Sequence, residues 1–119
     1  MPRLLWPLLG LLLLAGCASN KERPELTEVD QYREASESLE SRNYLTAIDQ
    51  LKELEARFPY GDFAEQAALD LIYAQYRAVD YPATVVAAQR FMRNSPAHPR
   101  MDYALYMRGL ANFNMEKGL

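Results

Sequence analysis

The sequence contains one cysteine and one histidine, and this scarcity excludes several kinds of site. A single cysteine, Cys17, cannot form a disulfide within the chain. The single histidine, His98, lies between two prolines in a predicted turn, with no cluster of Cys, Asp or Glu at metal-ligand spacing around it. We therefore predict no metal site, and interpret His98 as a turn residue.

Basic clusters and catalytic motifs are also missing. The net charge is −3, and no run rich in Lys and Arg could neutralise phosphates, so the sequence argues against a nucleic-acid partner. It contains no Gly-x-Ser-x-Gly elbow, no His-Glu-x-x-His pair and no phosphate-binding loop. We expect neither catalytic residues nor a cofactor.

The chain opens with one arginine followed by a leucine-rich run over residues 4–14. This run is shorter than the about 20 residues that a membrane-spanning helix needs. The layout is typical of a secretory signal peptide, here residues 1–16. The motif Leu-Ala-Gly-Cys at residues 14–17 resembles the bacterial lipobox. It predicts cleavage between Gly16 and Cys17, and a diacylglycerol thioether and an N-acyl chain on Cys17.

Lipidation of Cys17 would anchor the chain to a membrane, because each buried CH₂ of an acyl chain contributes about 0.8 kcal/mol. The residue after Cys17 is Ala18, as in lipoproteins that are sent to the outer membrane. Lipoproteins that are retained in the inner membrane commonly have Asp at that position. Residues 17–26 are mostly polar and contain Pro24, so we predict a flexible tether on the periplasmic side. The alternative is that Cys17 is only a small residue beside an ordinary cleavage site.

An internal repeat organises the remaining residues, 27–119. Tyr44 recurs as Tyr81 and Pro59 as Pro96, so both pairs are 37 residues apart. Other apolar positions map onto apolar positions at the same offset. Such self-similarity is typical of stacked helix-turn-helix units, whose single repeats cannot bury their own apolar faces. We predict an all-α, tetratricopeptide-like repeat solenoid of about two and a half repeats.

Local signals agree with helices throughout this domain, and no segment alternates as a strand. Thr27 with Asp30, and Asp62 with Glu65, have the spacing of a capping box and predict two helix starts. The helices are predicted over residues 27–41, 44–57, 62–78, 81–93 and 101–116, with ends uncertain by about two to four residues. The last helix carries apolar residues, so we expect a longer protein whose C-terminal portion covers that face.

Four strings in the repeat region are specific in combination. They are Phe-Pro-Tyr-Gly at 58–61, Leu-Asp-Leu-Ile-Tyr-Ala at 69–74, Pro-Ala-His-Pro at 96–99 and Tyr-Met-Arg-Gly-Leu at 106–110. Together with the lipobox, they resemble the BamD family, also called ComL. That family has five tetratricopeptide repeats, and this chain resembles the first two and the opening helix of the third.

The resemblance implies a subunit of the β-barrel assembly (Bam) complex, which inserts proteins into the outer membrane. The family's N-terminal half is associated with binding unfolded β-barrel precursors through their C-terminal signal. Its C-terminal half docks onto BamA. The implied partners of the full-length protein are BamA, the other Bam lipoproteins, the unfolded precursors and the outer membrane. The alternative is a periplasmic repeat lipoprotein that organises the cell wall or the competence machinery.

A stacked helical array has a concave groove lined by the first helix of each repeat. Helical spacing places Gln66, Tyr73 and Arg77 on one stripe, and Tyr103 and Tyr106 on the corresponding stripe of the next repeat. Tyrosine rings and an arginine would suit an aromatic segment that ends in a carboxylate. We predict that these residues bind clients. The alternative is that the tyrosines belong to the core between the helices.

Overall fold

The structure, a computed structural model, describes residues 24–118. The predicted signal peptide, the lipidation site Cys17 and most of the tether lie outside the described residues. The described part has no strand and folds into helices α1 (Glu28–Glu40), α2 (Tyr44–Arg57), α3 (Ala64–Arg77), α4 (Tyr81–Asn94) and α5 (Met101–Lys117). Between residues 24 and 118, no helix combines the length and apolar character needed to cross a membrane.

Each helix packs against the next along the chain, and α3 also contacts α5. The buried side chains form two clusters. Leu51, Leu54 and Leu71 belong to the first, built by α1, α2 and α3. Ile72 and Phe91 belong to the second, built by α3, α4 and α5. Because α3 contributes to both clusters, it lies between the other helices, which its mostly apolar sequence favours.

Alanine supplies much of this core. Within residues 24–118, seven alanines have no exposed surface, and at least one lies on every helix: Ala35, Ala47, Ala67, Ala74, Ala88, Ala104 and Ala111. A methyl side chain lets neighbouring helices approach closely, so that the leucines of the next helix can fill the remaining space. The apolar positions that recur in the sequence repeat therefore include both small and large buried side chains.

One of the two predicted helix caps is confirmed and the other is wrong. The side chain of Thr27 accepts a backbone N–H from the first turn of α1, as predicted. By contrast, α3 begins at Ala64, and no side-chain bond caps it. A further turn after residue 61 delays the helix, so that Asp62 lies too early in the chain to act as its cap.

The acceptor at the start of α3 comes from a distant part of the chain. Glu28, the first residue of α1, accepts the N–H of Phe63 at 2.9 Å through Oε1. A carboxylate near a helix N-terminus is favourable, because the helix dipole is positive there. Gly61 leaves the space for this carboxylate, since a Cβ at that position would overlap it. This contact joins the starts of the two repeats.

Helices α1 and α3 end in the same way. Arg42 follows α1 with φ 60° and Val79 follows α3 with φ 63°, in the left-handed region that favours glycine. The N–H of Asp80 donates to the carbonyl of Gln75 at 3.0 Å, and the equivalent bond closes α1 at 2.8 Å. These bonds are those of a Schellman motif. The repeat thus extends to the backbone conformation of its turns.

Val79→Gly is expected to raise the free energy of unfolding by about 1 kcal/mol. A β-branched residue is strained at positive φ, while the Val79 side chain is 66% exposed and loses little packing when removed. Thermal unfolding followed by circular dichroism checks this, with Arg42→Gly as the companion variant, expected to act in the same direction. A lower midpoint for Val79→Gly would show that the valine makes a stabilising contact.

Candidate binding groove

Four side chains form a stripe along α3: Gln66, Asp70, Tyr73 and Arg77. Gln66 Nε2 donates to Asp70 Oδ1 at 2.9 Å, and Arg77 Nη1 donates to the Tyr73 hydroxyl at 3.1 Å. Side chains three or four residues apart are neighbours on a helix surface. The three α3 residues predicted from sequence therefore share one face, and Asp70 lies between them.

Arg77 is held by two aromatic rings. Its guanidinium carbon lies 5.1 Å from the ring centroid of Tyr44 and 5.8 Å from that of Tyr73. The two rings meet edge to face, with centroids 6.1 Å apart. Among residues 24–118, Arg77 forms no ion pair with a carboxylate, and its side chain is exposed. The cation–π contacts thus orient a guanidinium whose remaining N–H groups are available to an anion.

Asp70 connects α3 to α1. The hydroxyl of Tyr32, on α1, donates to Asp70 Oδ2 at 2.8 Å. Burial raises the pKa of Asp70, although the hydrogen bonds from Tyr32 and Gln66 act in the opposite direction. Burial and the bond to Asp70 raise the pKa of Tyr32 to about 12. The Tyr32 hydroxyl and the Gln66 amide therefore hold the Asp70 carboxyl in a half-buried site between α1 and α3.

Helix α5 lies beside α3 and contributes Tyr103 to the same surface. Burial raises the pKa of Tyr103, Arg100 lowers it, and Asp70 and Tyr73 raise it further. Helix α5 contacts α3, and Tyr103 packs against the core cluster that these two helices share. The guanidinium of Arg100 lies 4.9 Å from the Tyr103 ring centroid. We call the surface formed by the α3 stripe, Tyr32, Tyr44, Arg100 and Tyr103 the groove.

The two predicted α5 residues differ in their environment. Tyr103 is half-buried and packs against the second core cluster, so it serves the core as well as the groove. Tyr106 is 64% exposed, which excludes a core role within the described residues. The sequence did not single out Asp70, Tyr32 or Arg100 for this site. Helical spacing places Asp70 on the α3 stripe, four residues after Gln66, but it carries no signal for the bond from Tyr32, which joins two helices.

A second cleft, of about 740 Å³, lies between the α2–α3 turn and α4, away from the groove. Arg90 and Glu55 line it, but Arg90 already donates to Glu55 at 2.9 Å. Its cation is therefore paired, whereas the guanidinium of Arg77 is not. We favour the groove as the binding site on this difference in charge pairing.

The surroundings of His98 agree with its interpretation as a turn residue. Its Nδ1 accepts the N–H of Arg100 at 3.0 Å, and its ring meets Phe91 edge to face at 5.2 Å. Its Nε2 lies 3.5 Å from Glu65. Within the described part of the chain, no three His, Cys, Asp or Glu side chains are grouped to hold a metal ion.

Asp70→Asn is expected to raise the free energy of unfolding at neutral pH and to have less effect as the pH falls. Because the folded-state pKa of Asp70 lies above the ordinary value of 3.8, wild type loses stability as the pH rises through that raised pKa. The amide carries no charge and keeps an acceptor for Tyr32. Urea unfolding of both proteins, at neutral pH and below pH 3.8, checks this. A variant less stable than wild type at neutral pH would contradict it.

Comparison with known proteins places this fold in a family. A family model described as "Tetratricopeptide repeat" matches residues 19–119. The "Outer membrane protein assembly factor BamD" of Vibrio cholerae serotype O1 is 41% identical over 111 residues, covering 92% of this chain and 46% of the relative. The protein of the same name from Neisseria gonorrhoeae is 40% identical over 113 residues, covering 89% of this chain and 42% of the relative.

These matches confirm the resemblance to the BamD family that the sequence strings indicated. A third relative of that name, from Pasteurella multocida, is 36% identical over 99 residues, covering 83% of this chain and 38% of the relative. The chain thus spans less than half the length of these relatives. With its stacked helix pairs and the matching family model, the chain belongs to the tetratricopeptide repeat family.

Proposed function

We propose that this chain is the client-binding part of a lipid-anchored scaffold in the outer-membrane β-barrel assembly complex. Its full-length protein would act with BamA and the other Bam lipoproteins to insert β-barrel proteins into the outer membrane. The relatives' shared name, outer membrane protein assembly factor, supports the process. The observation that carries the client-binding role is the guanidinium of Arg77, oriented by two tyrosines and unpaired with any carboxylate of the described residues.

The groove has the chemistry that a barrel precursor's C-terminal signal requires. Such a signal is rich in aromatic residues and ends in a carboxylate. Tyr73 and Tyr103 offer ring surfaces for packing, and Arg77 offers parallel N–H donors to the carboxylate. Arg77 and Tyr73 already contact each other and Tyr103 is half-buried, so part of their side-chain freedom is lost before binding. In this proposal Gln66 and Tyr106 contact the segment on either side of these three.

The anchor is proposed from sequence, because Cys17 lies outside the described residues. Residues 17–26 could span about 35 Å when fully extended, at 3.3–3.6 Å per residue. The groove could therefore stand away from the membrane surface while the chain stays attached. We expect Cys17→Ser to move the chain from the membrane fraction to the soluble periplasmic fraction. Retention of the variant in the membrane fraction after a carbonate wash would contradict the lipid anchor.

Equilibrium binding tests the client-binding role. A fluorescent peptide carrying the last ten or so residues of a β-barrel protein is titrated with the full chain in detergent, and anisotropy is measured. We expect saturable binding of the native peptide, and much weaker binding of a scrambled peptide and of one with an amidated C-terminus. Equal binding of all three would contradict a specific role. Binding to cell-wall fragments instead would favour the alternative function.

A further inference from the structure

The acid in the middle of the groove has no role in the proposal so far. Asp70 is the acidic member of the α3 stripe, between Gln66 on one side and Tyr73 and Arg77 on the other. We propose that Asp70 makes the groove selective for client segments that carry a basic residue shortly before their C-terminus, and selective against acidic ones. This inference rests on the proposed client-binding function and specifies which clients it favours.

The protein leaves part of the Asp70 carboxylate free. Its two oxygens can accept about four hydrogen bonds. Tyr32 donates to Oδ2 and Gln66 donates to Oδ1, so one bond to each oxygen is used within the protein. These two donors fix the carboxylate in place, and the remaining acceptor positions can receive a further donor.

The charge of Asp70 is also left without an ion pair. The nearby cation, Arg100, is stacked on the Tyr103 ring, and no salt bridge joins it to Asp70 within the described part of the chain. A carboxylate that is half removed from water attracts a cation more strongly than a fully solvated one does. A lysine or arginine of a bound segment would supply that cation, whereas a glutamate would be repelled.

Helix geometry fixes where the basic residue should lie in the client. Asp70 and Arg77 are separated by two turns of α3, which corresponds to about 10 Å at a rise of 1.5 Å per residue. An extended segment advances about 3.3 Å per residue, so it covers this distance in three residues. With its terminal carboxylate on Arg77, the client would therefore present the third residue before the last to Asp70.

A purely structural role for Asp70 makes a different prediction. If Asp70 only joins α1 to α3 through Tyr32, the charge of the client should not affect binding. The discriminating measurement therefore changes the peptide and leaves the protein intact. This arrangement keeps the test independent of the stability of any variant.

The test uses the full chain in detergent and two peptides from one β-barrel C-terminus, with Lys or Glu at the third residue before the last. We expect the Lys peptide to bind wild type about tenfold more tightly, a difference of the size that a close charge contact produces. In Asp70→Asn the two affinities should differ by less than about twofold. Glu65→Gln is the matched control, because it removes the same charge from the same helix outside the stripe. It should preserve the tenfold preference.

Two results would overturn the inference while the proposed function stands. One is equal binding of the Lys and Glu peptides to wild type, with the scrambled peptide still excluded. The other is a preference for Lys that persists unchanged in Asp70→Asn, since another acid would then cause it. If neither these peptides nor the native sequence binds, the client-binding function itself is overturned, and this inference with it.

Discussion

Leu71→Ala is expected to lower the free energy of unfolding by about 2–5 kcal/mol. Leu71 is 1% exposed and packs in the first core cluster, where α3 meets α2. Removing three carbons there leaves a cavity that the neighbouring helices fill only in part, so both transfer energy and packing are lost. Urea unfolding followed by circular dichroism measures the change. A loss of this size is a large part of the about 5–15 kcal/mol that a typical domain has.

Leu45→Ala is the matched control for Leu71→Ala, because it makes the same chemical change at a site that is 71% exposed on α2. We expect it to change the free energy of unfolding by no more than about 0.5 kcal/mol. Equal losses for the two variants would contradict the assignment of α3 as the central helix between two core clusters.

Arg77→Ala is expected to weaken binding of a barrel-precursor C-terminal peptide by about tenfold or more, which is 1.4 kcal/mol or more. The variant removes the guanidinium that Tyr44 and Tyr73 hold in the groove. Arg77→Lys should restore only part of the affinity, because an ammonium cannot make the paired, parallel bonds that a guanidinium makes to a carboxylate. Fluorescence anisotropy with the labelled peptide gives the dissociation constants.

Two controls separate the carboxylate contact from a general charge effect. Arg93→Ala removes an exposed arginine from α4, outside the groove, and should leave the affinity unchanged. A peptide with an amidated C-terminus should bind weakly to wild type and be insensitive to Arg77→Ala. If Arg93→Ala weakens binding as much as Arg77→Ala does, the attraction is a net-charge effect and the groove assignment is wrong.

The helices could be predicted closely because their signals are local. Helix α2 begins and ends at the predicted residues, since Pro59 and the repeat offset mark the turn that follows it. Helices α4 and α5 also begin at the predicted residues, and the remaining helix ends differ from prediction by one or two residues. The start of α3 shows where local reasoning fails. Its acceptor, Glu28, lies 35 residues from Phe63, and no spacing within one helix could reveal that contact.

The same limit applies to the groove. Gln66, Tyr73 and Arg77 could be placed on one face because helical periodicity relates them. The hydrogen bond from Tyr32 to Asp70 spans 38 residues, which is close to one repeat, and it depends on how α1 packs against α3. Helical spacing also places Asp70 on this face, but only the packed structure shows that Tyr32 donates to it from another helix.

Photocrosslinking distinguishes the surface around Tyr106, which the proposed function places beside the groove, from another exposed surface of the same protein. A photoreactive residue replaces Tyr106 in one variant and Val86, on α4, in another; these sites are 64% and 63% exposed, so both are equally accessible. Each full-length variant is irradiated with a barrel-precursor C-terminal peptide and with its scrambled form. We expect a crosslink to the native peptide from position 106 and none from position 86. Capture from position 86 alone, or equal capture of the scrambled peptide at position 106, would contradict client binding in the groove.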